Sequence, residues 1–558
     1  MEFQFMTPTQ VWEGFNPVKE PLQTSVQTNT EEGNLQIAEF FFTSETVSDG
    51  KVRVFGRSLY KKDGQPRKPA VIVFPSLSSN CCNNEVVDRL IERDYAVITI
   101  DYANICPDHE FHTSFPKSLS YAQAEYAISS LHHIGENARQ TPWFVWAKIG
   151  RRAITVVEEM LYVDRNSIGI MGLSEGAQLV WILAGIDGRI KTALPILGGG
   201  YTYYQGLPKY SQKKVPDSEE QRVWIAGVGA ETYSRSVSCP LYFATSSNNT
   251  LTDIDRAGDI LDNVSVDYKG LSISPRTNLQ LTLSCYKGIE AWLELFLRGN
   301  GVDLPTQKIT FENLDGELIL RCKLSKEPVS VEAFFSTEEI NSAARDWHGL
   351  NEPIVDSNNG DLLFKIDFYD YNEHVFVFIN FTYANGIVLS TPVLETVPTN
   401  LKITAPLLPQ IETSRIVYNS SHGLSSVALE NDSLILNESL LTMASGPFGI
   451  KGLMTTQGRI VSYKFGKSPF STKKDVILQM DVYSKNARTI LINMLNFEDK
   501  KTYTAMKNLT GGEIWQRINF TAADFKSKDN KPLSVFSETE KAVFYDAENV
   551  IFNNIIWL

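Results

Sequence analysis

Gly172-Leu173-Ser174-Glu175-Gly176 is the stretch that decides how this chain reads. It has the form Gly-x-Ser-x-Gly. The strand-like run Ser167-Ile168-Gly169-Ile170-Met171 precedes it, and the helix-like run Ala177-Gln178-Leu179-Val180-Trp181-Ile182-Leu183-Ala184 follows. Strand, sharp turn and helix are the context of a nucleophile elbow. The two glycines let the backbone turn tightly, so the Ser174 hydroxyl stands at the top of a sheet. The helix beyond offers free N–H groups and a positive dipole end to a developing oxyanion. A serine is a weak nucleophile without a base, so the reading turns on what accompanies it.

Outward from the elbow, strands alternate with helices. Leu35–Phe42 and Lys51–Leu59 read as paired strands joined at Ser48-Asp49-Gly50. Ala70–Phe74, Ala96–Ile100, Thr192–Leu197, Leu241–Thr245 and Val264–Tyr268 read as further strands. Asn83–Glu92, Tyr121–His133, Trp143–Leu161 and Ser284–Leu297 carry helical spacing. This alternation predicts a mostly parallel, three-layer α/β domain over 35–303, behind a polar lead-in at 1–34. After Gly299-Asn300-Gly301 the text changes to short strands. Their spacing predicts an Ig-like β-sandwich at 304–400, then a jelly-roll-like β-sandwich at 401–558, with a Pro-rich linker at Thr396–Pro409.

With 558 residues, 43% of them hydrophobic, the chain is long enough for several cores. Its net charge of −13, without a basic run, argues against a nucleic-acid partner. No apolar stretch approaches the roughly 20 residues of a membrane span. The N-terminus lacks a basic start followed by an apolar segment, so no signal peptide is expected. Cys81, Cys82, Cys106, Cys239, Cys285 and Cys322 show neither zinc spacing nor a disulfide framework. These features predict a cytoplasmic protein with reduced thiols, no metal and no cofactor.

Residues about 35–300 resemble α/β-hydrolases of the acetylxylan esterase and dienelactone hydrolase kind. The resemblance is carried by Ala138–Ala147, Arg151-Arg152-Ala153-Ile154, the elbow, Trp181, Ala184–Arg189 and Cys239-Pro240-Leu241-Tyr242-Phe243. The part after 400 resembles, more loosely, carbohydrate-binding accessory modules. The resemblance implies an ester hydrolase with Ser174 as nucleophile, acting on acylated sugars or similar small esters.

Three positions depart from that pattern. The expected acid falls on Asn248 or Asn249, with Asn249 taken as the position, and an amide carries no charge to stabilise an imidazolium. Asp253 and Asp255 lie nearby, and Asp253 is the candidate relocated acid. The expected base falls in Ser274–Leu281, at Leu279, in a segment without histidine; none occurs between His133 and His348. Leucine cannot take a proton. The oxyanion loop reads Phe74-Pro75-Ser76-Leu77-Ser78-Ser79, with Ser76 as its marker and no glycines, while the Glu175 N–H supplies one donor.

His109 and His112 are the candidate relocated bases, in a loop that also permits a metal site through Asp108 and Glu110. Asp101 reads as a pocket carboxylate or a turn cap. Glu175 reads as a brake on the serine or as half of an ion pair, and Arg276 as a surface residue or an anion contact. Tyr201, Tyr203 and Tyr204 follow a glycine-rich loop and are the candidate ligand platform. Trp143, Trp146 and Trp181 read as helix packing.

The leading expectation is therefore an esterase-type domain with a degraded triad, weakly active or inactive, that binds an acylated carbohydrate or a similar ligand. A second is a working carboxylic ester hydrolase with a relocated histidine. A third is a carbohydrate- or protein-binding scaffold acting through the β-sandwich modules, a reading that exposed aromatic rows on a concave sandwich face would favour and a buried Trp515 and Trp557 would weaken. A protein partner or a second copy of the chain is compatible with all three.

Overall fold

Ala70-Val71-Ile72-Val73-Phe74 is apolar at every position, as is most of Ala96–Ile100, and such runs must be covered on both faces. A computed structural model shows how. It describes residues 3–558 except 65, 66, 79–84, 205, 212–217, 300–303, 357, 358, 408–414, 468 and 497. Cys81-Cys82 and the 303/304 boundary lie outside the described residues.

Nine strands form the central sheet: β1 Ser25–Glu32, β2 Leu35–Val47, β3 Gly50–Lys61, β4 Lys68–Phe74, β5 Ala96–Asp101, β6 Val163–Leu173, β7 Thr192–Ile196, β8 Leu241–Ser246 and β9 Lys269–Ser274. Their order is β1-β2-β3-β5-β4-β6-β7-β8-β9. The sheet is parallel from β5 to β9 and antiparallel from β1 to its contact with β5. Beyond the added β1, this is the strand order of an α/β-hydrolase domain.

Side chains leave the sheet alternately. Ala70, Ile72 and Phe74 join the helices Pro142–Glu159 and Glu175–Ile186 in one core, with Trp143, Trp146 and Trp181 all buried there. Val71 and Val73 meet the helices Glu85–Glu92 and Leu283–Leu293 in the other. The resulting three layers match the expected class.

Several expected elements differ. The 1–34 segment contains a helical turn, Pro8–Trp12, and the strand β1, so the sheet begins before residue 35. Two arginines fasten that segment: Arg139 donates to the carbonyls of Gln10, Val11 and Glu13, and the buried Arg152 to those of Pro17 and Glu20. The last strand is Lys269–Ser274, not Val264–Tyr268. Tyr121–His133 breaks into short turns, Lys117–Ala122, Ala124–Ala127 and Ile128–Ser130.

Two β-rich regions follow. In the first, a four-stranded sheet built on Gln307–Leu314 and Glu317–Leu324 faces a five-stranded sheet built on Ser330–Thr337 and Val375–Thr382. Val375–Thr382 is buried almost throughout, because both its faces are covered. Val377, Ile379 and Phe381 pack with the partner sheet and the helix Leu283–Leu293, whereas Phe376 and Phe378 join the other core of the α/β domain. The α/β domain and this region thus share cores. The last region has a six-stranded and a five-stranded antiparallel sheet around a core of its own.

Candidate active site

Ser174 sits at the turn from β6 into the helix Glu175–Ile186, with φ 52° and ψ −111°. Positive φ strains a residue with a Cβ and persists only where the surroundings enforce it. Here they do. A Cβ on Gly172 would lie 2.0 Å from the Gly176 carbonyl oxygen, and one on Gly176 2.1 Å from that of Phe74. The Ser174 N–H donates to Ile196 O at 2.9 Å. The side chain is half-buried, and among the described residues its hydroxyl has no hydrogen-bond partner.

The neighbouring carboxylate turns back over the loop after β4. Glu175 Oε2 accepts from the Ser76 hydroxyl at 2.9 Å and from the Leu77 N–H at 3.2 Å. Tyr102 holds the same loop, donating to Pro75 O at 2.9 Å. Burial, then the charges of Glu175 and Asp101, push the Tyr102 hydroxyl well above its ordinary pKa. In α/β-hydrolases the loop after the corresponding strand supplies a second oxyanion donor; here the Leu77 N–H of that loop faces the Glu175 carboxylate. Among the described residues Glu175 forms no ion pair with a lysine or arginine.

After β8, the two asparagines where the acid is expected are buried and engaged. Asn248 Nδ2 donates to Ala343 O at 3.2 Å and Arg345 O at 2.8 Å. Asn249 Nδ2 donates to Leu197 O at 3.1 Å, and its Oδ1 accepts from Leu251 N at 2.8 Å. Asp253 Oδ1 accepts from the Ser342 hydroxyl at 2.9 Å and Oδ2 from Lys209 N at 3.0 Å. Burial, then the nearby Asp255, raises the Asp253 pKa. Asp255 is paired with Arg345 through two bonds of 2.5 and 2.6 Å, both side chains fully buried.

After β9, the segment expected to carry the base is a seat for the last region. Arg276, on backbone of φ 56°, donates through Nη1 to Leu424 O at 3.0 Å and Ser425 O at 2.5 Å. This corrects the surface reading of Arg276. Gln280 Nε2 donates to Asn431 O at 2.7 Å, and Leu281 N to Leu434 O at 2.8 Å. Leu281-Thr282 then pairs in parallel with Ile435-Leu436. Leu279 lies half-buried in the middle of this seat.

The candidate relocated bases stand elsewhere. His109 Nδ1 lies 2.8 Å from Phe111 O, and its Nε2 is 3.9 Å from Glu39 on β2. His112 Nδ1 lies 3.1 Å from His109 O. Three strands separate β2 from β6, so at about 4.8 Å per step His109 is held roughly 19 Å across the sheet from the elbow. Asp101 caps its own turn, accepting from Ile105 N at 2.7 Å and Thr113 N at 2.9 Å. Among the described residues no group of His, Cys, Asp and Glu could hold a metal ion, and no helix is long and apolar enough to cross a membrane.

The three candidate platform tyrosines divide. Tyr201 and Tyr204 flank Arg256, whose guanidinium lies 5.7 and 4.8 Å from their ring centres. Tyr203 instead packs against His132 and Trp224, at 5.3 and 5.6 Å. The Tyr201 N–H donates to the buried Glu231 at 3.2 Å. The sequence reading missed the Glu175 contact and the Asp255–Arg345 pair. The only signal for the first was a carboxylate beside the serine; the second joins residues 90 apart.

No family model matches the chain, and no curated protein matches it by sequence. Similar solved structures include an acetyl xylan esterase from Paenibacillus sp. R4, at 13% identity and TM-score 0.40, over 50% of this chain and 91% of that one. Acetyl xylan esterase 1 from Thermoanaerobacterium sp. JW/SL YS485 is similar at 12% identity and TM-score 0.36, over 46% and 83%. A putative dienelactone hydrolase from Klebsiella pneumoniae subsp. pneumoniae MGH 78578 is similar at 11% identity and TM-score 0.29, over 43% and 87%. The likeness spans about half of this chain.

Proposed function

We propose that the α/β-hydrolase domain is an esterase fold kept for binding, with Ser174 unactivated or active only weakly, and with an acylated carbohydrate or similar small ester as its ligand. The observation that carries this reading is the seat after β9. The segment where a base is expected holds Leu279 and is committed to the last region through Arg276, Gln280 and Leu281. The Glu175 carboxylate on the Leu77 N–H supports it further, since negative charge there opposes a second one. Oxyanion stabilisation and binding outlast the loss of a base, so slow turnover fits the same reading.

The test is labelling by a fluorophosphonate probe, alongside p-nitrophenyl acetate turnover, in the native chain and in Ser174→Ala. The expected result is no rapid labelling and nearly equal turnover in both. Rapid labelling lost in Ser174→Ala would mean that a base reaches the serine, and the reading would fall.

A further inference from the structure

We propose that the three-way joint around His422 is an acid-operated latch, which holds the last region against the α/β domain and the first β region while the imidazole is uncharged and lets go when it takes up a proton. This is independent of the reading of Ser174.

Residues 418–425 of the last region meet both of the others. Arg276 of the α/β domain donates to Leu424 O and Ser425 O. Asp346 and His348 of the first β region, bonded to each other at 2.8 Å, lie by the His422 ring. His422 ends the short turn Ser420–His422, which Gly423 N closes on Ser420 O at 3.3 Å. The His422 carbonyl takes both the N–H and the hydroxyl of Ser425, at 3.2 and 2.7 Å. The backbone that places the imidazole is therefore the backbone that Arg276 holds.

The groups around the ring come from all three regions. The last region supplies Lys464, half-buried just after the strand Arg459–Ser462, the Tyr418 ring at 6.1 Å, and Lys467, which pairs with Glu339 of the first β region. The α/β domain supplies Arg276, whose charge is answered by Glu438, Asp346 and Glu332. Of these groups Lys464 and His348 oppose a charge on the His422 ring, and Asp346 favours one.

An uncharged imidazole fits this setting and a charged one does not. His422 Nδ1 is buried, with no hydrogen-bond partner among the described residues. An imidazolium has an N–H on each nitrogen, so one donor would be buried unmade, beside an ammonium. Burial, then Lys464 and His348, hold the His422 pKa down at about 4, from 6.5. Burial raises the Asp346 carboxyl, but His348, Lys464 and Lys467 lower it by more, so it keeps its charge over that window. A released His422 takes up a proton more readily than a docked one. The closed joint is thus fully favoured above pH 6.5 and loses ground as pH falls towards 4, by on the order of a hundredfold in the open–closed equilibrium. Opening also frees the loop after β9, which is bonded to this segment.

The test follows amide hydrogen exchange in the full chain from about pH 7.5 to about pH 4.5, as protection factors corrected for the intrinsic effect of pH. Protection at residues 274–282, 344–349 and 418–436 is expected to fall reversibly, by about tenfold or more, while the cores at 70–74 and 478–482 keep theirs. His422→Asn removes the titrating group and should hold protection at the joint flat. Lys464→Met removes an opposing ammonium and should lessen the fall. The proposal is overturned if protection at the joint does not fall, if it falls only together with the cores, or if either folded variant loses it with acid as the native chain does.

Discussion

Arg345→Met isolates the contact that takes up the carboxylate of Asp255. Both partners are fully buried, and the guanidinium makes two bonds to Asp255, donates through Nε to Glu339 O at 2.8 Å and lies 3.4 Å from the Phe376 ring centre. Removing it leaves a buried carboxylate without its counter-charge, which costs about 3–5 kcal/mol. Asp255→Leu together with Arg345→Met removes both charges, and a matched apolar pair is about neutral relative to a buried ion pair. The expected order of stability is therefore native and double variant together, the single variant well below.

The assay is urea unfolding followed by tryptophan fluorescence, since Trp347 lies 5.7 Å from the guanidinium, with hydrogen exchange read separately on residues 253–262 and 339–349. A chain with several cores need not unfold in one step, so the exchange data assign the loss to this joint. A single-variant cost below about 1 kcal/mol, or a double variant no better than the single, would refute the argument from buried charge.

Two further outcomes follow from the site and its surroundings. Glu175→Ala frees the Leu77 N–H, and since one oxyanion donor is worth about 100-fold or more in rate, any p-nitrophenyl acetate turnover above the Ser174→Ala background should rise at least about tenfold and fall back to that background on adding Ser174→Ala; a fall in turnover instead would mean that the Glu175 carboxylate helps the site rather than opposing the oxyanion. Burial, with Lys464 and His348 nearby and Asp346 opposing them, holds His422 down at about 4 from its usual 6.5, so the stability it allows is complete above pH 6.5 and is lost as pH falls towards 4. His422→Asn should flatten that part of the stability–pH curve, and an unchanged slope would show that the imidazole is not desolvated.

How much was legible follows the range of each interaction. The all-apolar runs at 70–74 and 96–100 announced a sheet covered on both faces, and the glycines at 172 and 176 announced the turn that the carbonyls of Gly176 and Phe74 enforce. The apolar text of Val375–Thr382 announced a strand but not that its two faces belong to two different cores. β1 was missed because its outer-edge position leaves it mostly polar and exposed, without the apolar alternation that marks a half-buried strand. The departures at Asn249 and Leu279 were readable as letters. What those letters do instead was not, since Asn248 bonds residues about a hundred positions away and Arg276 bonds residues nearly 150 away.

Those long-range bonds share one location. In an open α/β sheet, ligands bind at the carboxyl ends of the strands, where loops are free to present side chains. Here the loops after β8 and β9 hold the positions of the expected acid and base, and both are tied down. Asn248, Asp253 and Asp255 bind residues 342–345, while Arg276, Gln280 and Leu281 bind residues 424–435. A loop that must leave an imidazole free to approach the serine and also anchor a second domain is under two demands. Each anchoring bond commits part of these loops to the β regions. On the proposed reading, the missing acid and base and the rigid seating of the β regions are one structural fact. Restoring Asp and His at these positions would have to work around those joints rather than fill an empty pocket.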